Sequence, residues 1–167
     1  MFQRYGGVLL LIGIRLIRAN SDGARSQANG CTSCGGAIRD SWGGWKLGFY
    51  KFIGICSIVE AKLWGVYVHL LCAWDLGLRQ VIVEDDSADV IRLIRNPSAS
   101  ANGPLLLLHI DALCNRVCDV KFQQVARSGN IIVGRMAKLA DSGDFDVYKF
   151  IVPHMAVVDL LVADGNI

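Results

Sequence analysis

The chain of 167 residues has almost no net charge, since 17 lysines and arginines stand against 15 acids for a formal balance of +2. A dedicated nucleic-acid binder is usually more basic, so composition supplies no electrostatic pointer to a partner, although a local basic patch can be enough. It also lacks an apolar run of membrane length. Val8 to Ile14 is apolar, but Arg15 and Arg18 cut it well short of a span. No clear small-residue cleavage site follows it, as a secretory leader would require. We read no internal repeat and expect one domain in these 167 residues. The length suits a single sizeable core, and a hydrophobic content of 53% excludes disorder as the general state.

The six cysteines do not form a convincing metal or disulfide pattern. Cys31 and Cys34 make a CxxC, but they fall in a segment read as a strand, where residues i and i+3 point to opposite faces. Cys114 and Cys118 are four apart, and Cys56 and Cys72 read as small core residues. A reduced intracellular protein, nuclear or cytoplasmic, is the plainer expectation.

The chain is organised around Ile55 to Ser87. Ser57 is a natural N-cap, and Glu60 three residues later completes a capping-box pattern. From Ile58 to Leu76 the residues are mostly apolar, broken only at Glu60, Lys62, His69 and Asp75, which predicts a helix buried on more than one side. Gly77 stands where a C-terminal glycine belongs. Val81, Ile82 and Val83 predict a strand covered on both faces, ending in Glu84, Asp85 and Asp86. A helix on a sheet, with carboxylates at the sheet's end, is where a site is expected.

Before this stretch, Ile14 to Ser21, Cys31 to Arg39 and Trp45 to Phe52 read as three strands of an antiparallel meander. After it come a short helix (Ser87 to Arg95), an exposed loop (Asn96 to Gly103), a helix (Leu105 to Arg116), a strand (Val120 to Val125) and a helix (Ile131 to Ala140). The expected order is βββαβααβα. We divide the chain into an irregular or truncated start over residues 1–13, a domain over 14–140 and an appended tail over 141–167. The tail's Val157, Val158, Leu160, Leu161 and Val162 suit the covering of a sheet edge or a partner surface.

Four local wordings stand in a telling order. They are Asn20-Ser21-Asp22-Gly23-Ala24, Gly35-Gly36-Ala37-Ile38-Arg39-Asp40, Glu60-Ala61-Lys62-Leu63-Trp64-Gly65 and Glu84-Asp85-Asp86-Ser87. With the element order, they resemble the type 1 ribonuclease H fold, and most of all the ribonuclease H-like domains left in plant genomes by non-LTR retroelements. The resemblance implies an α/β fold, with a mixed five-stranded sheet and helices on both faces. It implies a carboxylate cluster that holds two Mg²⁺ (or Mn²⁺) ions, hard cations that only oxygen ligands hold well. The family's first three acids fall on Asp22, Glu60 and Asp86. Each also has a purely structural reading: a hairpin turn at Asp22-Gly23, a capping box at Glu60, an N-cap at Asp86.

Two family positions depart from the pattern. Where the fourth acid is expected the chain has Gly134, and where a flexible-loop histidine is expected it has Gln124. Glycine offers no ligand, and glutamine can hydrogen-bond but cannot titrate. His109 and His154 lie elsewhere and read as packing or surface residues. The resemblance therefore implies a domain for RNA/DNA hybrids in a possible reverse transcriptase context, with a weakened Mg²⁺ site and impaired hydrolysis of the RNA strand. The alternatives are a non-catalytic nucleic-acid-binding module and a decaying retroelement relic. Changing Gly134 to Asp together with Gln124 to His is expected to raise activity. Trp42 and Trp45, with Arg25, Arg39 and Lys46, are candidate nucleic-acid contacts, with packing and ordinary solvated surface the competing readings.

Overall fold

A computed structural model describes residues 17–97, 104–117 and 119–165; the expectations for residues 1–13, for 14–16 and for most of the 96–103 loop lie outside them. The strands are β1 (Ile17–Arg25), β2 (Cys31–Arg39), β3 (Trp45–Ile55), β4 (Gln80–Asp85), β5 (Asp119–Gln124) and β6 (Val147–Phe150). The helices are α1 (Ile58–Asp75), α2 (Ala88–Arg95), α3 (Leu106–Arg116), α4 (Ile131–Ala137) and α5 (Met155–Ala163), with a 3₁₀ turn at Arg127–Asn130 before α4. The strands form one mixed sheet in the order β5-β4-β1-β2-β3-β6. Its β1-β2, β2-β3 and β3-β6 pairs are antiparallel, and its β1-β4 and β4-β5 pairs are parallel.

Two glycines in β2 explain how helices cover both faces. A β-carbon on Gly35 would stand 2.3 Å from the Ala137 backbone nitrogen, so only glycine lets α4 approach on that side. On Gly36 it would meet the His69 and Phe49 rings at 2.5 Å, so the other side belongs to α1. The main core lies between α1 and the sheet, with Leu63, Val66 and Leu70 fully buried against Ile38, Phe49 and Val83. Burying each such side chain contributes roughly 1.5–3 kcal/mol. α4 is pinned to the opposite face by polar contacts. Ser33 Oγ donates to the Ala137 carbonyl at 2.6 Å, and Asn130 Nδ2 donates to the Ser21 carbonyl at 3.0 Å.

Three features differ from expectation. The sheet has a sixth strand, and the segment read as a tail supplies it. β6 pairs with β3 from Gly48 to Lys51, and α5 buries Val157 and Leu161 against Ile132 and Met136 of α4. The apolar residues in that segment thus serve a second, smaller core on the α4 face. The third difference concerns β1, which does not end at Ser21 but continues to Arg25, because Asp22, Gly23, Ala24 and Arg25 pair with Gly35, Cys34, Ser33 and Thr32. The hairpin turn comes later, and Gly30 with φ 71° closes it. Cys31, Cys34, Cys56, Cys72 and Cys114 are all free thiols.

Candidate functional site

β1 and β4 run side by side and parallel, with Asn20 level with Glu84. Each strand therefore delivers a carboxylate just past that level, Asp22 on β1 and Asp86 after the end of β4. Ser87 caps α2 by accepting from the Val90 backbone N–H at 3.3 Å, so the chain turns sharply at Asp86. Asp85 Oδ1 accepts the Ser87 N–H at 2.8 Å and fixes that turn from within. The N-cap is thus Ser87, and Asp86 is left free to face the strand ends.

What occupies the space between these acids is Lys62. Its Nζ donates to Asp22 Oδ1 at 2.7 Å and to Asp86 Oδ1, and it lies 3.6 Å from Asp85 Oδ1. The Lys62 side chain is 11% exposed, so the ammonium is held in the cluster rather than waving in water. Burial alone would lower its pKa, but the Asp85 charge and the hydrogen bonds to Asp22 and Asp86 outweigh that and raise it. Lys62 is therefore a fixed positive charge. Burial pushes the Asp85 carboxyl up to about 6 against the opposing pull of Lys62, and its Oδ2 has no hydrogen-bond partner. Arg127 Nε adds a second cation 3.6 Å from Asp86 Oδ2, on a side chain almost wholly in solvent.

Glu60 is turned elsewhere. Its Oε2 accepts the Ser57 backbone N–H at 3.0 Å, while Ser57 Oγ accepts the Glu60 N–H at 3.1 Å. Both halves of the capping box are present. Of the three acids singled out by sequence, Asp22 and Asp86 are brought together through Lys62, and Glu60 closes the start of α1. Gly134 lies beside the cluster, for a β-carbon there would stand 3.1 Å from Asp22 Oδ2. Gln124 is exposed at the end of β5, where it pairs in register with Asp85.

Lys62 is the site residue that sequence reading missed, having taken it as a polar break in an apolar helix. A signal was present. Lys62, Val66 and His69 recur at i, i+4 and i+7, the spacing of one helix face, and all three are buried. A lysine on a buried stripe needs an acidic partner, and the acids of β1 and β4 are the ones in reach.

The carboxylates alone would suit a hard divalent cation. The set as built does not, because the inward oxygens of Asp22 and Asp86 are already bonded to a protonated amine. Among the described residues no group of three or more His, Cys, Asp or Glu side chains is arranged to hold a metal ion. Further back along β1 and β4, Asn20 Nδ2 donates to Glu84 Oε2 at 2.6 Å, and Arg18 and Arg39 complete a polar patch.

Residues 20–140 match the reverse transcriptase-like family. The chain belongs to that family. Over 152 residues it is 32% identical to a protein of Arabidopsis thaliana provisionally named a ribonuclease H protein, covering 89% of this chain but only 24% of the relative. It thus spans about a quarter of that protein's length. The fold of the family domain is that of ribonuclease H1. The enzyme of the halophilic archaeon Halobacterium salinarum superposes with a TM-score of 0.66 at 22% identity, over 73% of this chain and 94% of that one. The N-terminal RNase H domain of a Mycobacterium tuberculosis protein gives 0.67 at 20% identity, over 74% and 91%. LC11-RNase H1, solved in complex with an RNA/DNA hybrid, gives 0.65 at 19% identity, over 74% and 95%. At these identities the likeness carries the fold alone. Among the described residues no helix is long and apolar enough to cross a membrane.

Proposed function

We propose that this domain binds nucleic acid of the RNA/DNA hybrid class and that its hydrolysis of the RNA strand is reduced or lost. The observation that carries the second half is the chemistry at the strand ends. Two acids of adjacent parallel strands are bridged by Lys62, and the neighbouring helix presents Gly134 where a further acid would face Asp22. Phosphodiester hydrolysis needs charge stabilised on both the attacking and the leaving oxygen. A cluster whose inward oxygens are already bonded to its own amine has little left to offer that step.

The first half is supported by membership of the family and by the hybrid bound to LC11-RNase H1. Recognition of such a duplex runs through 2′-hydroxyls and phosphates across a wide minor groove, which asks for shape and scattered cations rather than strong net charge. Arg25 is exposed and available for phosphates, and Arg127 is exposed although 3.6 Å from Asp86, whereas Lys46 is paired with Asp40 at 3.3 Å and Trp45 Nε1 donates to the Phe150 carbonyl. A retroelement origin and a reverse transcriptase partner belong to the same proposal.

The test is cleavage of a labelled RNA/DNA hybrid in Mg²⁺ and in Mn²⁺ beside Asp22→Asn, with hybrid affinity measured by fluorescence anisotropy across a salt series. We expect binding that weakens with salt, and cleavage no greater than that of Asp22→Asn. Metal-dependent cutting that disappears in Asp22→Asn would make the protein an active nuclease. A folded protein with no hybrid affinity at low salt would be a relic.

A further inference from the structure

We propose that Lys62 is a built-in cation that takes the place of a divalent metal between Asp22, Asp85 and Asp86, so that this acidic centre is complete and closed without one. Four observations converge. The ammonium touches one carboxylate from β1 and one following β4, and faces a third at 3.6 Å. Its side chain is almost wholly withdrawn from solvent, so a cation entering from water must expel it rather than share the site. Its three N–H groups are donors only, and the inward carboxylate oxygens it faces are those a metal would need. Arg127 further offsets the charge of Asp86 at 3.6 Å from Oδ2.

The geometry also says what Lys62 does for the fold. Three carboxylates within reach of one point repel one another and lose water on burial. A divalent ion or an ammonium can each hold them together, but not both at once. The lysine reaches this point because α1 starts beside β1, where Gly23 brings the strand within 3.0 Å (measured from the position of an added β-carbon) of the Lys62 backbone nitrogen. This holds whatever nucleic acid the domain takes.

The experiment is Mn²⁺ binding followed by the EPR signal of the free ion, together with thermal melting in EDTA and in millimolar Mg²⁺ or Mn²⁺. The full chain is compared with Lys62→Glu, Lys62→Gln and the double variant Lys62→Glu/Asp22→Asn. The unaltered protein is expected to show no saturable Mn²⁺ site and no metal-dependent melting shift. Lys62→Glu is expected to gain one site at least tenfold tighter, with a melting temperature that rises with metal, and to lose both when Asp22→Asn is added. If Lys62→Glu folds only when metal is supplied, that rescue supports the proposal equally. A Mn²⁺ site in the unaltered protein that Asp22→Asn removes would overturn it. So would folded Lys62→Glu and Lys62→Gln proteins that gain no metal binding. Should neither variant fold under any condition, the Mn²⁺ titration of the unaltered protein decides alone.

Discussion

A β-carbon on Gly134 would stand 3.1 Å from Asp22 Oδ2. α4 therefore offers the cluster a bare backbone at the point where any side chain would press on an acid. Gly134→Ala gains helix propensity of up to about 1 kcal/mol, but Asp22 is held by the Gly23 N–H at 2.8 Å and by Lys62 and must yield a few tenths of an ångström. The net gain is expected to stay below that figure. Gly134→Asp sets a like charge beside Asp22 and is expected to cost about 1 kcal/mol at low salt, less at high salt. Urea melts at two ionic strengths check both.

Lys62 adds a requirement to the double change Gly134→Asp with Gln124→His. With the ammonium still in the cluster, the two changes alone are expected to leave hybrid cleavage where it was. Adding Lys62→Glu is expected to raise it by roughly a hundredfold, the scale of one well-placed electrostatic group. Cleavage of a labelled hybrid in Mn²⁺ distinguishes the double from the triple variant.

Removing the amine without replacing it leaves buried acids unpaired. Lys62→Met is expected to lose about 3–5 kcal/mol of stability, as when one partner of a buried ion pair is deleted. Asp22→Asn should cost less, because Lys62 keeps Asp85 and Asp86 and the amide still accepts a hydrogen bond. Equilibrium unfolding in EDTA orders the two.

Ser57→Ala removes the acceptor for the Glu60 N–H and is expected to cost about 1 kcal/mol. Glu60→Gln keeps the reciprocal bond to the Ser57 backbone, so its cost should be less than half of that, about 0.5 kcal/mol or under. Denaturation of both variants compares them. An equal loss from Glu60→Gln would mean that Glu60 does more than cap.

Acid weakens the fold through His69. It is fully buried, its Nε2 lies 3.3 Å from the Ala37 carbonyl, and burial lowers its pKa from 6.5 to about 4. The folded chain therefore keeps the ring neutral while the unfolded chain protonates it. Stability from this group is intact above pH 6.5 and lost progressively as pH falls through about 4. The loss is on the order of 3 kcal/mol at its limit. Asp85, raised to about 6, acts in the opposite direction, so unfolding measured from pH 7 through 5.5 to 4 should show His69→Leu losing less stability than the unaltered protein.

How much of this could be read beforehand depends on the kind of signal each element carries. α1 was legible because its cap, apolar body and Gly77 agree, and β4 because Val81, Ile82 and Val83 are β-branched and covered. β6 was not, because it is four residues long with two exposed, so alternation has no room to appear. Asp22 and Asp86 were reached through their neighbours in sequence. Lys62 was missed because its stripe with Val66 and His69 marks it only as buried, while its acidic partners are set by the pairing of β1 with β4. Glu60 was read both ways, and its cap bonds account for its position.

The pairing of β6 with β3 has a consequence for how the chain is born. β3 is eleven residues long, yet β6 covers only Gly48 to Lys51 of its outer edge, and residues 56–146 must be synthesised before even that cover exists. During this interval a nascent β3 offers an open ladder to any other extended chain, the usual opening for aggregation. Lys46 and Lys51 lie on that strand, and charges of this kind discourage foreign pairing until the late strand arrives. A strand made long after β3 thus covers part of that open edge.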